Sequence, residues 1–184
     1  MALTESRMLA LGTRAPEFSL PDTVSGQSLS LRELKGERAT LVMFICNHCP
    51  YVIHVNPEMV RLCEDYQSQG VAFIAISSNN VEKYPDDSPE KMKEVAEREG
   101  YGFPYLYDET QAVARDYDAA CTPDFYLFDA AMNLQYRGRL DASRPGNDAP
   151  LNGTDLRAAI DAVLAGEPVS EKQYPSAGCN IKWK

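Results

Sequence analysis

The sequence predicts an α/β domain with a central mixed β-sheet covered by helices on both faces. Three observations carry that expectation. Residues 39–46 (ATLVMFIC) and 71–76 (VAFIAI) are nearly continuous apolar runs rich in strand formers, which suits central strands buried on both faces. Between them Val52, Val55, Met59, Leu62, Cys63 and Tyr66 recur at helical spacing, so the three segments read as a right-handed β-α-β unit. Downstream, residues 124–128 and 133–138 flank a four-residue turn and read as a β-hairpin. A last helix, marked by Leu156, Ile160, Val163 and Leu164, follows it.

The remaining elements fall around this frame. Residues 15–20 and 28–30 predict an N-terminal β-hairpin about the Ser25-Gly26 turn. Ser30 and Glu33 have the spacing of a capping box and open a short helix over 31–35, which Gly36 stops. The long helix runs from about 50 to 69, with Glu58, Arg61, Glu64 and Asp65 on its wet face, and Gly70 ends it. Residues 77–89 are a polar loop, of which 83–87 are expected to shape one wall of a substrate surface. Ser88-Pro89-Glu90 supplies a cap, a proline at the first helical position and first-turn acid for a helix that ends at Gly100. Residues 104–107 predict a short strand and 111–117 a short helix. The tail, 167–184, is too polar to add another layer, yet its single tryptophan, Trp183, predicts that it docks. The expected organisation is one domain over 1–184, with a core at about 14–166 and a C-terminal docking tail.

Charge and cysteine usage narrow the function. With 27 acidic and 18 basic residues the net charge is −9, so a polyanion would be repelled and no nucleic-acid partner is expected. No apolar run approaches the roughly 18–20 residues that cross a bilayer, which predicts no membrane partner. Glu5, Arg7 and Arg14 interrupt the N-terminal apolar residues, so no secretory leader is expected. Five cysteines form an odd set in which only Cys46 and Cys49 are locally paired. That argues against a disulfide-stapled fold and predicts a reducing, cytoplasmic location.

Cys46 falls at the end of a buried strand and Cys49 at the start of the next helix. Unpaired N–H groups and the helix dipole favour an anion there, and the thiolate is the reactive form of cysteine. Pro50 costs no hydrogen bond at a first helical position. Two intervening residues, Asn47 and His48, leave a loop small enough for one sulfur to attack a disulfide made by the other. The expected roles are Cys46 as the exposed nucleophile and Cys49 as the resolving thiol. Zinc uses the same spacing, with Cys46, His48 and Cys49 as three ligands and His54 or Cys179 as a fourth, but adjacent His48 and Cys49 would strain a compact tetrahedron. No metal and no organic cofactor is therefore expected.

His48, next to Cys49, could place an imidazolium by the nucleophilic sulfur and lower its pKa; a solvent-facing loop histidine is the alternative. His54 reads as a surface or packing residue. Thr122-Pro123 opens a strand, a position where proline is tolerated anyway. Cys63 reads as core and Cys121 as a buried inert thiol. Cys179 is either a second resolving thiol or a docking contact. Arg139 and Arg144 read as solvated charge, or as cations that stabilise a thiolate or orient a peroxide oxygen.

The segment 44–51 (FICNHCPY) resembles the thioredoxin-like superfamily, and more closely its peroxiredoxin-like, AhpC/TSA-related branch. The resemblance extends over 12–20 (GTRAPEFSL), 108–110 (DET), 122–129 (TPDFYLFD), 136–139 (YRGR) and 178–183 (GCNIKW), and so accounts for nearly the whole chain. It implies a thioredoxin fold with an N-terminal β-hairpin extension. Cys46 then matches the attacking thiol of thioredoxins, and Pro123 matches their cis-proline, which presents the Thr122 backbone to an extended substrate. The peroxidatic cysteine of peroxiredoxins instead matches Cys49. Those enzymes carry Thr or Ser three residues earlier, where this chain has Cys46, and a proline farther upstream, where it has Val42 or Met43. His48 also matches the histidine of the periplasmic disulfide oxidants, while Asn47 replaces their proline.

The expected activity is thiol-disulfide exchange through Cys46 and Cys49. Its substrate would be a protein or small-molecule disulfide, and its reducing partner a thioredoxin-type protein or a low-molecular-weight thiol. A thiol peroxidase and a non-catalytic binding module are the two alternatives.

Overall fold

The computed structural model describes residues 3–184. In chain order they form β1 (Leu3–Glu5), β2 (Ser19–Pro21), β3 (Ser28–Ser30), α1 (Leu31–Leu34), β4 (Ala39–Phe44), α2 (Pro50–Tyr66), β5 (Val71–Ser77), α3 (Pro89–Glu99), β6 (Tyr105–Tyr107), α4 (Ala112–Asp116), β7 (Cys121–Thr122), β8 (Asp124–Asp129), β9 (Leu134–Gly138), α5 (Thr154–Ala165) and β10 (Ala177–Asn180).

The two apolar runs sit inside a five-stranded mixed sheet ordered β6-β5-β4-β8-β9. β4, β5 and β6 are parallel, β8 is antiparallel to β4, and β9 is antiparallel to β8. Alternation along β4 divides the core: Leu41, Met43 and Ile45 point into one layer, Val42 and Phe44 into the other. Val52, Met59 and Leu62 of α2, Met92 of α3, and Leu156 and Ile160 of α5 fill the first layer. The second takes Leu31 of α1, Val113 and Ala114 of α4, and a cluster of rings. There Tyr117 stands edge-on to Tyr126 and Phe128, with centroids 5.7 and 6.1 Å away, and tilted against Phe44 at 5.6 Å.

Local signals placed most boundaries. Ser30 and Glu33 make both bonds of the capping box on α1. Ser88 caps α3 by accepting from the Lys91 N–H, and Gly100 closes it in the left-handed region at φ 72°. β4 stops two residues earlier than expected, although the Ile45 N–H still reaches the Ile76 carbonyl at 3.0 Å, so Cys46 lies just past the ladder. The N-terminal hairpin is present as β2-β3 but begins later. Residues 14–15 instead run beside the β8-β9 turn, with the Ala15 N–H on the Met132 carbonyl at 2.9 Å.

Two expectations are corrected here. Glu58, assigned to the wet face of α2, is 1% exposed and held by Arg61 Nε at 2.6 Å and Arg157 Nη2 at 2.8 Å. A helical wheel cannot see that α5 brings a cation over that face. The tail, expected to be too polar for another layer, contributes β10 as the middle strand of a second sheet, β1-β10-β7, antiparallel on both sides. Strand pairing uses main-chain N–H and C=O groups, so polar side chains do not oppose it. Trp183 does dock: it packs on the second core layer, with the Arg115 guanidinium 5.0 Å from its ring.

Candidate functional site

The loop from Cys46 to Cys49 connects β4 to α2. Cys49 is the N-cap residue of α2, and Pro50 holds the first helical position. The Cys49 carbonyl accepts the Val52 and Ile53 N–H groups, each at 3.0 Å.

A buried carboxylate braces this loop. Asp87, at the end of a 3-10 turn over Pro85–Asp87, accepts the Asn47 N–H on Oδ1 at 2.8 Å and Asn79 Nδ2 on Oδ2 at 2.9 Å. His48 Nδ1 lies 2.6 Å from the same Oδ2, and its ring stacks on Tyr84 at 5.8 Å. Asn47 also donates to the Asp86 carbonyl at 2.9 Å and accepts from the Tyr105 hydroxyl at 2.8 Å. Of residues 83–87, expected to shape a substrate wall, Lys83 to Asp86 are exposed, while Asp87 is fully buried and braces the loop.

The Thr122-Pro123 peptide is cis and faces the two thiols. Thr122 Oγ1 is 3.6 Å from Cys46 Sγ, and the Thr122 carbonyl oxygen is 3.5 Å from Cys49 Sγ. Across β7 and β10, Cys179 stands directly opposite Thr122, buried in the same core layer as Cys46 and Cys49. The tail thus occupies the strand edge beside Pro123 that was expected to be open to substrate.

Cys46 and Cys49 titrate as a pair. The Cys46 thiol donates toward the Cys49 sulfur, which holds the Cys49 pKa well below the usual thiol value. Cys179, the Val52 amide and Thr122 act in the same direction, against burial. The same bond, then burial and the Asp87 charge, raise Cys46. Cys46 was expected to be the exposed nucleophile; it is 2% exposed and Cys49 is 0% exposed, and the two shifts run in opposite directions, Cys46 up and Cys49 down. The sequence could not reveal Asp87 beside Cys46, nor two thiol donors converging on Cys49.

The His48 pKa is raised, first by its contact with Asp87 and against burial, with the Cys49 charge acting in the same upward direction. Arg139 is bound to Asp155 at 2.6 Å and lies 4.3 Å over the Tyr174 ring. With Arg144 it lines a cleft of about 250 Å³ that reaches Pro123 and Ser176, but neither Cys46 nor Cys49 lines that cleft. Among the described residues, then, these arginines do not face the sulfurs. Cys63 is core, its pKa pushed up to about 11 by burial, and Cys121 is buried and likewise raised. All five cysteines are free thiols.

Of the zinc ligands considered above, His54 points elsewhere, with Nε2 2.7 Å from Ser143 Oγ. The metal-capable donors that converge within 4.8 Å are Cys46 Sγ, His48 Nδ1 and an Asp87 oxygen. Sequence reasoning gave no site role to Asn79 or Tyr105 and placed Asp87 at a loop wall, since nothing in the spacing of these residues tied them to His48 or Asn47.

A mixed sheet, a Cys-x-x-Cys loop at the end of its central strand and a cis-proline facing that loop define a thioredoxin-fold protein. Residues 11–137 match the AhpC/TSA family, and the chain belongs to that family within the thioredoxin-like superfamily. The chain is similar to an uncharacterized conserved protein from Geobacillus kaustophilus, at 58% identity and TM-score 0.99 over 100% of this chain and 97% of that one. It is also similar to a hypothetical protein from Sinorhizobium meliloti, at 47% identity and TM-score 0.96 over 98% of each. Against the thiol-disulfide oxidoreductase ResA of Halalkalibacterium halodurans it is 30% identical over 118 residues, which spans 64% of this chain and 62% of that protein.

These relatives correct the expected cytoplasmic location, since the ResA and DsbE thiol-disulfide oxidoreductases are extracytoplasmic proteins. Cysteine usage misled because a transient dithiol is as compatible with an oxidising compartment as with a reducing one. Among the described residues no helix is long and apolar enough to cross a membrane.

Proposed function

We propose that the protein is a thiol-disulfide oxidoreductase whose redox unit is Cys46 with Cys49. The observation that carries this reading is that both sulfurs meet Thr122 of the cis Thr122-Pro123 peptide where α2 begins, Cys46 Sγ 3.6 Å from its Oγ1 and Cys49 Sγ 3.5 Å from its carbonyl oxygen. Cys49, as thiolate, attacks one sulfur of a protein or small-molecule disulfide and releases the other as a thiolate. The Cys46 sulfur then attacks Cys49 in the mixed disulfide. The Cys46–Cys49 bond forms, the substrate bond breaks, and the Cys46 proton passes to the departing sulfur. Substrate gains two electrons and the dithiol loses two. A thioredoxin-type protein or a low-molecular-weight thiol returns them. Because Cys49 is covered by Thr122 and Cys179, the reaction requires the tail strand to move aside.

The test replaces each cysteine and follows reduction of insulin disulfides beside peroxide consumption. Cys49→Ser should abolish disulfide turnover, and a protein with both Cys46→Ser and Cys179→Ala should accumulate a mixed disulfide on Cys49. A mixed disulfide that accumulates on Cys46 in the Cys49→Ser protein instead would reverse the order of attack. Rapid peroxide loss that needs Cys49 but not Cys46 would replace exchange with a peroxidase reaction, the reading favoured by the lowered pKa of Cys49 alone.

A further inference from the structure

The final strand is built like a bound peptide. β10 adds to β7 through main-chain pairing, with Cys179 opposite Thr122 and Asn180 opposite Cys121. Recognition of an extended peptide by strand addition has this form: main-chain bonds supply affinity, and one side chain points to the reactive group. Here that side chain is a thiol, opposite the Thr122 whose carbonyl oxygen meets Cys49 Sγ at 3.5 Å, and Cys49 and Cys179 are buried in the same core layer. The fit is close. A Cβ on Gly178 would overlap the Thr122 carbonyl and approach the Pro123 ring to 3.3 Å. Polar contacts hold both sides of the cysteine. Ser176 Oγ donates to the Pro123 carbonyl, the Ile181 N–H bonds the Ala120 carbonyl at 3.0 Å, and the Lys182 N–H bonds Asn79 Oδ1 at 2.9 Å. Asn79 also bonds Asp87, so the tail and the dithiol loop share one brace.

We infer that β10 is an internal substrate strand and that Cys179 is the third thiol of the centre, able to form a disulfide with Cys49 in place of Cys46. The inference rests on the dithiol reading above and deepens it. Once Cys46 and Cys49 are oxidised, the Cys179 thiolate attacks the Cys49 sulfur. The Cys49–Cys179 bond forms, the Cys46–Cys49 bond breaks, and Cys46 leaves as a thiolate that takes up the proton lost by Cys179. No electrons are gained or lost in that step. The product has the tail covalently fixed over Thr122 and Cys46 free, a state in which no external peptide can pair with β7.

The experiment maps disulfides in the full chain after oxidation with glutathione disulfide, acid quench, alkylation and non-reducing peptide mass spectrometry. Here Cys49 and Cys179 lose two protons and two electrons, and glutathione disulfide becomes two glutathiones. In the wild-type protein a Cys49–Cys179 peptide is expected beside the Cys46–Cys49 peptide. In Cys46→Ser the Cys49–Cys179 link should account for nearly all oxidised Cys49, and in Cys179→Ala only Cys46–Cys49 should form. If Cys179 is fully alkylated in the oxidised wild-type protein, and Cys46→Ser carries only glutathionylated Cys49, the internal-substrate inference is overturned while the dithiol reading stands. If Cys179→Ala forms no Cys46–Cys49 link but the wild-type protein forms Cys49–Cys179, the dithiol reading fails and the inference about Cys179 holds. Absence of both links overturns both.

Discussion

Nδ1 of His48 stands 2.6 Å from Oδ2 of Asp87, while the other oxygen of that carboxylate takes the Asn47 N–H at 2.8 Å. One buried side chain thereby fixes two consecutive residues of the thiol loop and places a negative charge beside Cys46. Asp87 is itself lowered in pKa, since the bonds from His48, Asn79 and Asn47 outweigh its burial.

Asp87→Asn should therefore lower two pKa values together. His48 loses the bond that raises it, and Cys46 loses a repelling charge. A ring-proton titration of His48 and an ultraviolet thiolate titration would read both shifts. The pair's contribution to stability is present above the lowered Asp87 value and below the raised His48 value. It is lost as pH falls through the first or rises through the second. An unchanged His48 titration in Asp87→Asn would contradict the contact.

Asp124 gives a different pH signature. It is almost fully buried next to Pro123, and burial raises its pKa to about 7 despite bonds from Ser6, Tyr126 and the Phe125 N–H. The folded state favours its protonated form. The unfolded chain deprotonates first as pH rises from the ordinary carboxylate value, so stability falls between about pH 4 and 7 and then levels. Asp124→Asn removes that loss. Its melting temperature should match wild type near pH 4 and exceed it above neutrality, by at most roughly 4 kcal/mol of stability. Parallel curves across this range would place the Asp124 pKa at an ordinary value.

Gly178→Ala should loosen the tail, because the new methyl meets a main-chain oxygen that cannot rotate away. A cost of about 1–3 kcal/mol is expected for such overpacking. Local release should raise the rate at which a maleimide modifies Cys49 well before global unfolding. Equal rates in both proteins would mean that the tail does not gate the sulfur.

Arg157→Ala leaves Glu58 buried with only Arg61 as a cation. Breaking a buried pair by removing one partner costs about 3–5 kcal/mol, and the partly exposed arginine reduces this to roughly 2–3. Urea midpoints would measure it. Glu58→Gln, which removes the buried charge, should cost less.

The frame and the thiol pair were legible in the sequence for physical reasons. A strand buried on both faces must be apolar along its length, as residues 39–44 are, and a helix start beside a thiol is a local pattern. Thr122-Pro123 was legible through resemblance. What could not be read was contact between distant segments. Asp87 reaches His48, Arg157 reaches Glu58, and Cys179 reaches Cys49 only after the fold brings them together. Two local inferences were reversed by such long-range pairing: a wet residue, Glu58, became buried, and a polar tail became the middle of a sheet.

The second sheet has a practical corollary. Leu3 of β1 is the register partner of Cys179, so the first and last strands of the chain lie side by side at the sulfurs. A pull applied through β1 or through β10 would load the same short ladder beside the sulfurs. The exposed turn around Gly146 offers an internal handle for labelling or immobilisation. Electrode measurements made through that handle would report the potential of the thiols without tension on the strands that cover them.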